Sequence, residues 1–330
     1  MTSNIDRRTV LAAGGAMLAA GSGAGAAAQE GPRDPDLSGT SILITGCSSG
    51  FGRLGAEHYA RLGAKVFATM RNMPRPEAEE LRDLASSDKL DIEVIEIDVT
   101  DDAQVDEGVA KAARMAGGSL DVLVNNAGIS NGGPIELQDM ELTKLLFDTN
   151  VYGPHRMARA ALPAMREKNR GLIFQVSSQL GRVIVPGVGQ YSPTKFALEA
   201  MSEQMAYELA PFGVEVTIIE PGGYPTEIWQ NANDLTYDLL ERTPDERIAP
   251  YRELIDTIGI RSGGTRTTDP LDVPRAIAEI ITMPVGERPL RRPVHPGFIP
   301  QKAINEVARK TQLQFLGDTP MGPMVKAVLE

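Results

Sequence analysis

Tyr191 and Lys195 stand four residues apart, a spacing that places two side chains on one face of an α-helix, one turn removed. Pro193 between them fits only a first helical turn, so the helix is predicted to open close to Tyr191. Phe196, Leu198, Met201, Met205 and Leu209 continue the apolar helical spacing behind it. An ammonium held near a phenol favours phenolate. It lowers a tyrosine pKa from its free value of about 10 and suits the group to general acid–base work. The pair alone is weak evidence. With seven Tyr and 23% charged residues, a lysine snorkelling across a surface ring produces the same pattern.

Other chemistry-bearing types are sparse. Three histidines (His58, His155, His295) and the single cysteine, Cys47, are scattered without metal-ligand spacing, so neither a metal site nor an internal disulfide is expected. A formal net charge of −11 argues against a nucleic-acid surface. The 330 residues, 42% hydrophobic, suffice for one large domain or two small ones.

The beginning of the chain differs in composition from the rest. Arg7-Arg8 precede an uncharged run from Thr9 to Gln29 rich in Ala and Gly, and Ala26-Ala27-Ala28 supplies a small-x-small cleavage site. Residues 1–28 resemble a twin-arginine export signal, with Arg7-Arg8-Thr9-Val10-Leu11 as its core. They depart from that pattern at Asp6, Val10 and Ala12, where Ser, Phe and Lys are usual. A disordered leader is the alternative. A retained membrane anchor is disfavoured, because five glycines between Gly14 and Gly25 keep the run weakly apolar. The expected location is the periplasm, with the cytoplasm as the alternative.

Residues 29–39, with two prolines, read as a linker. Ser41-Ile42-Leu43-Ile44-Thr45 suits a buried strand. The turn Gly46-Cys47-Ser48-Ser49-Gly50-Phe51-Gly52 follows, then a helical pattern through Leu54, Tyr59 and Leu62 closed by Gly63. A strand, a glycine-rich turn and a helix N-terminus make a phosphate cradle, since glycines admit the ligand to the backbone and free N–H groups meet its charge. A plain strand–helix turn is the bland alternative. Strands at residues 66–68, 92–97, 120–124, 171–176 and 214–219 then alternate with helices at 77–85, 105–115, 142–165 and after Tyr191. That alternation means one doubly wound parallel sheet covered on both faces, in a single α/β domain over residues 40–330. Residues 223–268 lose the periodicity, with prolines at 225, 244 and 250 and glycines at 259, 263 and 264, and are expected to form a long irregular substrate loop. A helix over residues 272–281, an edge strand near Val294 and a partly mobile tail complete the expectation.

From about residue 39 to 294 the chain resembles the short-chain dehydrogenases/reductases of the compact one-domain type, with a Rossmann-type three-layer α/β/α fold. The resemblance rests on Thr45-Gly46-x-x-x-Gly50-x-Gly52 and on Asn125-Asn126-Ala127-Gly128 after the fourth strand. Ser178, Tyr191 and Lys195 keep the family's intervals, and Pro221-Gly222-x-x-x-Thr226 completes the set. It implies that Tyr191 exchanges a proton with the substrate oxygen and that Lys195 lowers its pKa and bonds the nicotinamide ribose. Ser178 would hold the substrate oxygen, although Ser177 has an equal local claim. Asn150 would keep a water-linked proton path behind the lysine, with a helix-packing hydrogen bond as the alternative. For the cofactor it implies Gly46, Ser48, Ser49, Gly50, Phe51 and Gly52 at the phosphates and Asp98 and Val99 beside the adenine. Asn126, Ala127 and Gly128 would line the adenine pocket, while Pro221, Gly222 and Thr226 would lie by the carboxamide. Turn chemistry explains several of these residue types equally well. Cys47, inside the cradle, is read as a packed residue rather than a reactive thiol.

The second strand ends in Met70 where an acid would bond the 2′-hydroxyl of NAD, and Arg71 follows. An arginine suits a 2′-phosphate by charge and geometry, so NADP is favoured over NAD. The expected activity is hydride transfer between nicotinamide and a carbonyl or secondary alcohol. A non-catalytic redox sensor or scaffold is the rival, weakened by retention of Asn150, Ser178, Tyr191 and Lys195. An extended-type epimerase is disfavoured by the glycine spacing. A substrate lining from residues 179–190 and 223–268, with Val183, Ile184, Val185, Tyr224, Ile228 and Trp229, leans towards an apolar or mid-sized compound. The resemblance further implies a homo-oligomer formed through the helices at 142–165 and 191–209. Export would favour a cofactor loaded before transport and tightly retained.

Overall fold

The structure, a computed structural model, describes residues 34–260 and 266–330. The export-signal expectation lies outside the described residues. Apolar runs of four to eight residues become strands, and amphipathic runs between them become helices. In chain order these are β1 (Ser41–Ile44), α1 (Gly50–Arg61), β2 (Lys65–Met70), α2 (Pro76–Asp88), β3 (Ile92–Glu96), α3 (Asp102–Met115) and β4 (Val122–Asn125). The second half continues with α4 (Met140–Phe147), α5 (Gly153–Glu167), β5 (Gly171–Val176), α6 (Tyr191–Leu209) and β6 (Val214–Pro221). It closes with α7 (Ile228–Glu241), α8 (Asp245–Ile248), α9 (Arg252–Ile260), α10 (Asp272–Thr282), β7 (Arg291–Val294), α11 (Gln301–Leu316) and α12 (Gly322–Leu329).

The seven strands form one parallel sheet in the order β3-β2-β1-β4-β5-β6-β7, with Ile42 opposite Val66 on one side and Val122 on the other. Because both faces are covered, successive residues of a strand enter different cores. Ile42 and Ile44 pack with Tyr59, Leu81, Val273 and Ile277 beneath α1, α2 and α10. Leu43 turns the other way, into Val105, Val109, Met157, Ala161 and Leu209 of α3, α5 and α6. The strand order reverses between β1 and β4, and in such sheets a ligand crevice opens beyond the carboxyl ends at that point. Leu37, expected in a linker, is instead 1% exposed, packs with the first core, and its N–H donates to the Leu62 carbonyl at 2.8 Å.

Three other expectations need correction. The helix anticipated over residues 142–165 is two helices joined by a π-helical turn, Asp148–Tyr152, that contains Asn150. The excursion anticipated as irregular contains α7, α8 and α9. Its prolines fall between helices, Pro244 just before α8 and Pro250 in a 3₁₀ turn, so they punctuate helices rather than prevent them. Ala232 and Leu239 of α7 are buried, Leu239 in a small cluster with Leu142 and Leu146 of α4. The tail is not loose either, because α12 seats Val325 and Leu329 in the core that contains Leu209.

Candidate active site

At the β1–β4 switch point the two strand ends are stitched together by one threonine. The Thr45 hydroxyl accepts from the N–H groups of Asn126 (3.0 Å) and Ala127 (2.9 Å), and Asn126 Nδ2 donates to the Thr45 carbonyl at 2.8 Å. Gly46 and Gly50 hold φ of +73° and +53°, a region that suits glycine. A Cβ on Gly52 would lie 2.2 Å from the Gly46 carbonyl oxygen and 2.6 Å from Asn126 Nδ2, so only glycine lets α1 approach β1 this closely. The Ser49 side chain does not cap α1, which leaves the N-terminal N–H groups available to an anion. Cys47 is fully buried, its thiol donates to the Ile44 carbonyl at 3.2 Å, and burial pushes its pKa up to about 12, so it packs and does not react.

A cleft of about 890 Å³ runs from this turn across the sheet ends. Gly46, Ser48, Ser49, Gly50, Phe51, Arg71, Asp98, Val99, Asn126, Ala127, Gly128, Ser178, Tyr191, Lys195, Pro221, Gly222 and Thr226 all line it. Gly52 and Asn150 do not; both stand behind the wall. At one end Arg71 Nη1 lies 3.9 Å from Asp98 Oδ2, while Oδ1 of that carboxylate accepts from the Thr100 N–H and hydroxyl. Asn72, at φ +58°, and Arg75 also face this end, and two 2.9 Å bonds join Arg75 to Glu77. Asn72 and Arg75 join the site residues expected from sequence; a second arginine four residues after Arg71 was the available signal for Arg75.

At the other end the first turn of α6 presents Tyr191 and Lys195. Lys195, 4% exposed, donates to the Val176 carbonyl at 2.9 Å, and its Nζ stands 5.6 Å from the Tyr191 ring centroid. The expected lowering of the tyrosine pKa is not what the protein alone produces. Burial pushes the Tyr191 phenol up to about 12, opposed by a hydrogen bond to Ser178, and burial holds Lys195 down to about 8. Desolvation dominates both groups, opposed at Tyr191 by the Ser178 hydrogen bond and at Lys195 by the charge of Glu199. The two adjacent serines, equivalent in sequence, differ here: Ser178 meets the phenol and its Oγ also accepts from the Leu180 N–H at 3.1 Å, whereas the Ser177 hydroxyl is buried without a hydrogen-bond partner among the described residues.

Behind this face lies a buried ion cluster that the sequence reading did not anticipate. Arg291 reaches Glu199 at 2.9 Å, Glu203 at 2.6 Å and Glu220 at 3.6 Å. Asn305 donates to both oxygens of Glu220, whose pKa is raised to about 7 by burial and by the charge of Glu199.

Ile129, Asn131, Leu145, Gln179, Leu180, Val185, Ile228 and Trp229 line the remaining half of the cleft. Tyr224 lines it too, with its ring packed edge-on against Phe51 and His295. Val183 and Ile184, expected there, are not among the lining residues, and Ile184 is 66% exposed.

A parallel sheet with a glycine-lined crevice at its switch point, ending in a Ser–Tyr–Lys face, defines a nucleotide-dependent oxidoreductase site. Residues 40–236 match the short chain dehydrogenase family, and the chain belongs to that family. The uncharacterized oxidoreductase YusZ of Bacillus subtilis is 36% identical over 242 residues, covering 73% of this chain and 84% of that one. A short-chain dehydrogenase structure from Streptomyces avermitilis shares 31% identity at a TM-score of 0.63, over 86% of this chain and 98% of its own. A gluconate 5-dehydrogenase from Burkholderia cenocepacia, in complex with NADP and tartrate, shares 26% at a TM-score of 0.54, over 58% and 74%. The protein is an oxidoreductase that uses a nicotinamide dinucleotide and acts on small molecules. The cradle fits such a group: at Gly46 and Gly52 a Cβ would collide with the backbone.

Proposed function

We propose that the chain is an NADP(H)-dependent oxidoreductase of carbonyl compounds and secondary alcohols, with Tyr191 as general acid/base. The observation that carries this reading is the Tyr191 phenol, held between Ser178 and Lys195 at the far end of a cleft that begins in the glycine turn. The bound dinucleotide supplies or accepts a hydride at its nicotinamide ring. Gly46, Ser48, Ser49, Gly50 and Phe51 would hold its diphosphate through backbone N–H groups and hydroxyls. Asp98, Val99, Asn126, Ala127 and Gly128 would hold the adenosine, and Pro221, Gly222 and Thr226 the carboxamide end. Gly52 acts by packing, and Asn150 by fixing the chain behind the lysine. Ser178 orients the substrate oxygen. Tyr191, protonated at neutral pH with a pKa near 12, donates to that oxygen during reduction and takes the proton back during oxidation. The Lys195 ammonium stabilises the negative charge that the phenol then carries.

Arg71, with Arg75 close by in sequence, supports a preference for NADP, because a 2′-phosphate meets positive groups beyond β2. Exposed Tyr152 and Phe196, in the region of α5 and α6, support association with a second copy. Export in folded form, with the dinucleotide already bound, rests on Arg7-Arg8 and the run that follows. Among the described residues no helix is long and apolar enough to cross a membrane.

The test is NADPH oxidation against a panel of ketones, aldehydes and quinones with Tyr191→Phe alongside. Turnover in the wild type that falls about 10³-fold in the variant, with NADPH affinity kept, is the expected result. Turnover surviving in the variant removes Tyr191 from this role. Tight nucleotide binding with no turnover in either protein moves the weight to a redox sensor.

A further inference from the structure

Among the described residues, three arginines line the cleft, Arg71, Arg75 and Arg266. Arg71 faces Asp98 and Arg75 is paired with Glu77. Arg266 has no carboxylate partner among the described residues, and its Nη1 is buried without a hydrogen-bond acceptor. Of the acidic residues on the cleft wall, Glu77 and Asp98 are used by the other arginines. Asp234 accepts from Gln230 at 2.9 Å, and the field of Glu227 falls on Arg75. Burial acts on the Arg266 guanidinium, and no anion among the described residues offsets it.

The side chain is nevertheless held firmly. Its guanidinium carbon lies 4.0 Å from the centroid of the Trp229 ring, a cation–π stack. The ring is itself anchored, its Nε1 donating to the Tyr224 carbonyl at 2.7 Å. Two residues further on, the Thr268 hydroxyl donates to the Gly223 carbonyl at 3.1 Å. A Cβ at Gly223 would stand 2.7 Å from Arg266 Nε, which accounts for the second glycine of Pro221-Gly222-Gly223. A guanidinium seated on an aromatic face keeps its N–H edge for an oxyanion, and leaving Nη1 dry and unpaired is costly.

We infer that Arg266, stacked on Trp229 and seated against Gly223, is an oxyanion receptor of the cleft. It takes a phosphate or carboxylate group from a bound ligand. This deepens the reading of the cleft as a dinucleotide and substrate site and rests on it. Two ligands carry the required chemistry: the diphosphate of the dinucleotide, and an acid group on the substrate.

Trp229 is the only tryptophan in the chain, so its emission reports on this arginine without any turnover. The experiment titrates the full chain with inorganic diphosphate, with succinate and with NADP, for the wild type, Arg266→Gln and Arg266→Lys. A saturable change in Trp229 emission with at least one of them is expected. The affinity should fall about ten- to a hundredfold in Arg266→Gln, the loss of one charge-assisted pair, and by less in Arg266→Lys, which keeps the charge without the fork. If NADP produces the change and then blocks the response to succinate, the dinucleotide is the source. If NADP-saturated protein still responds to succinate through Arg266, the substrate's acid group is the source. A response to diphosphate without any binding of NADP upholds the receptor and sinks the dinucleotide reading instead. Affinities unchanged in a folded Arg266→Gln, judged by an unaltered melting temperature, overturn the proposal. Should that variant unfold, Arg266→Lys decides, and full affinity for every anion in it overturns the fork geometry on which the assignment rests.

Discussion

Asn150 and Ile129 exchange two hydrogen bonds: the Ile129 N–H donates to Asn150 Oδ1 at 2.8 Å, and Asn150 Nδ2 donates to the Ile129 carbonyl at 2.8 Å. The same amide donates to the Thr194 hydroxyl at 3.0 Å, and that hydroxyl donates to the Tyr191 carbonyl at 2.7 Å. One side chain in the π-helical turn therefore ties the segment after β4 to the first turn of α6. A Cβ on Gly128 would meet Asn150 Oδ1 at 3.3 Å and Lys195 Nζ at 3.6 Å, so the amide also backs the lysine across that glycine.

Asn150→Ala is expected to lower stability by about 2 kcal/mol, because it strands two part-buried backbone groups of Ile129 at once. Urea unfolding checks this, and a midpoint equal to that of the wild type removes the clamp. Turnover should fall as well, since the first turn of α6 loses its tether.

Lys195 sets two opposed pH trends. Burial holds its pKa at about 8, below the ordinary 10.5, so the unfolded chain binds the proton to higher pH than the folded one. Between pH 8 and 10.5 stability therefore rises with pH through this group, by on the order of 3 kcal/mol. Activity goes the other way, because the charge that favours phenolate is lost above about pH 8. Stability of the wild type and Lys195→Met, compared from pH 7.5 to 10, should show the rise only in the wild type.

Glu220 has the contrary sign. Its folded pKa is raised to about 7, so its stabilising share is complete below the ordinary 4.5 and is lost as pH climbs through 7. Glu220→Gln should flatten the fall in stability between pH 5 and 7.5 by thermal unfolding. An unchanged slope means that another group of the Arg291 cluster carries the titration.

Gly52→Ala places a methyl group 2.2 Å from the Gly46 carbonyl oxygen. The turn must open or α1 must shift, and NADPH affinity measured by fluorescence should drop at least about tenfold, the scale of one lost charge-assisted bond. Wild-type affinity in this variant would show that the turn yields without cost.

Arg71→Ala is expected to weaken NADPH about ten- to a hundredfold while changing NADH much less, since only the former carries the 2′-phosphate. Equal losses for both cofactors would falsify the preference for NADP.

The motifs that act through backbone geometry were legible in the chain itself. Gly46, Gly50 and Gly52 permit one kind of turn, Pro193 permits only a first turn, and Tyr191 with Lys195 repeats the helical period. These are short-range constraints, and residue type with spacing states them completely. Parallel strands followed from the alternation of apolar runs with helices for the same reason.

Other properties are sums over residues far apart in sequence, and only the packed chain decided them. Whether Tyr191 rises or falls in pKa depends on how much water is excluded around it, and burial overrode the hydrogen bond from Ser178. Ser177 and Ser178 became distinct once the end of β5 left the Ser177 hydroxyl buried without a partner among the described residues and set Ser178 beside the phenol. The prolines of the excursion marked helix ends because α7 found Leu142 and Leu146 to pack against. Arg266 met Trp229, without a carboxylate partner among the described residues, because of where the excursion returns to β6. Spacing encodes where the backbone can turn, whereas burial and partnership belong to the tertiary structure.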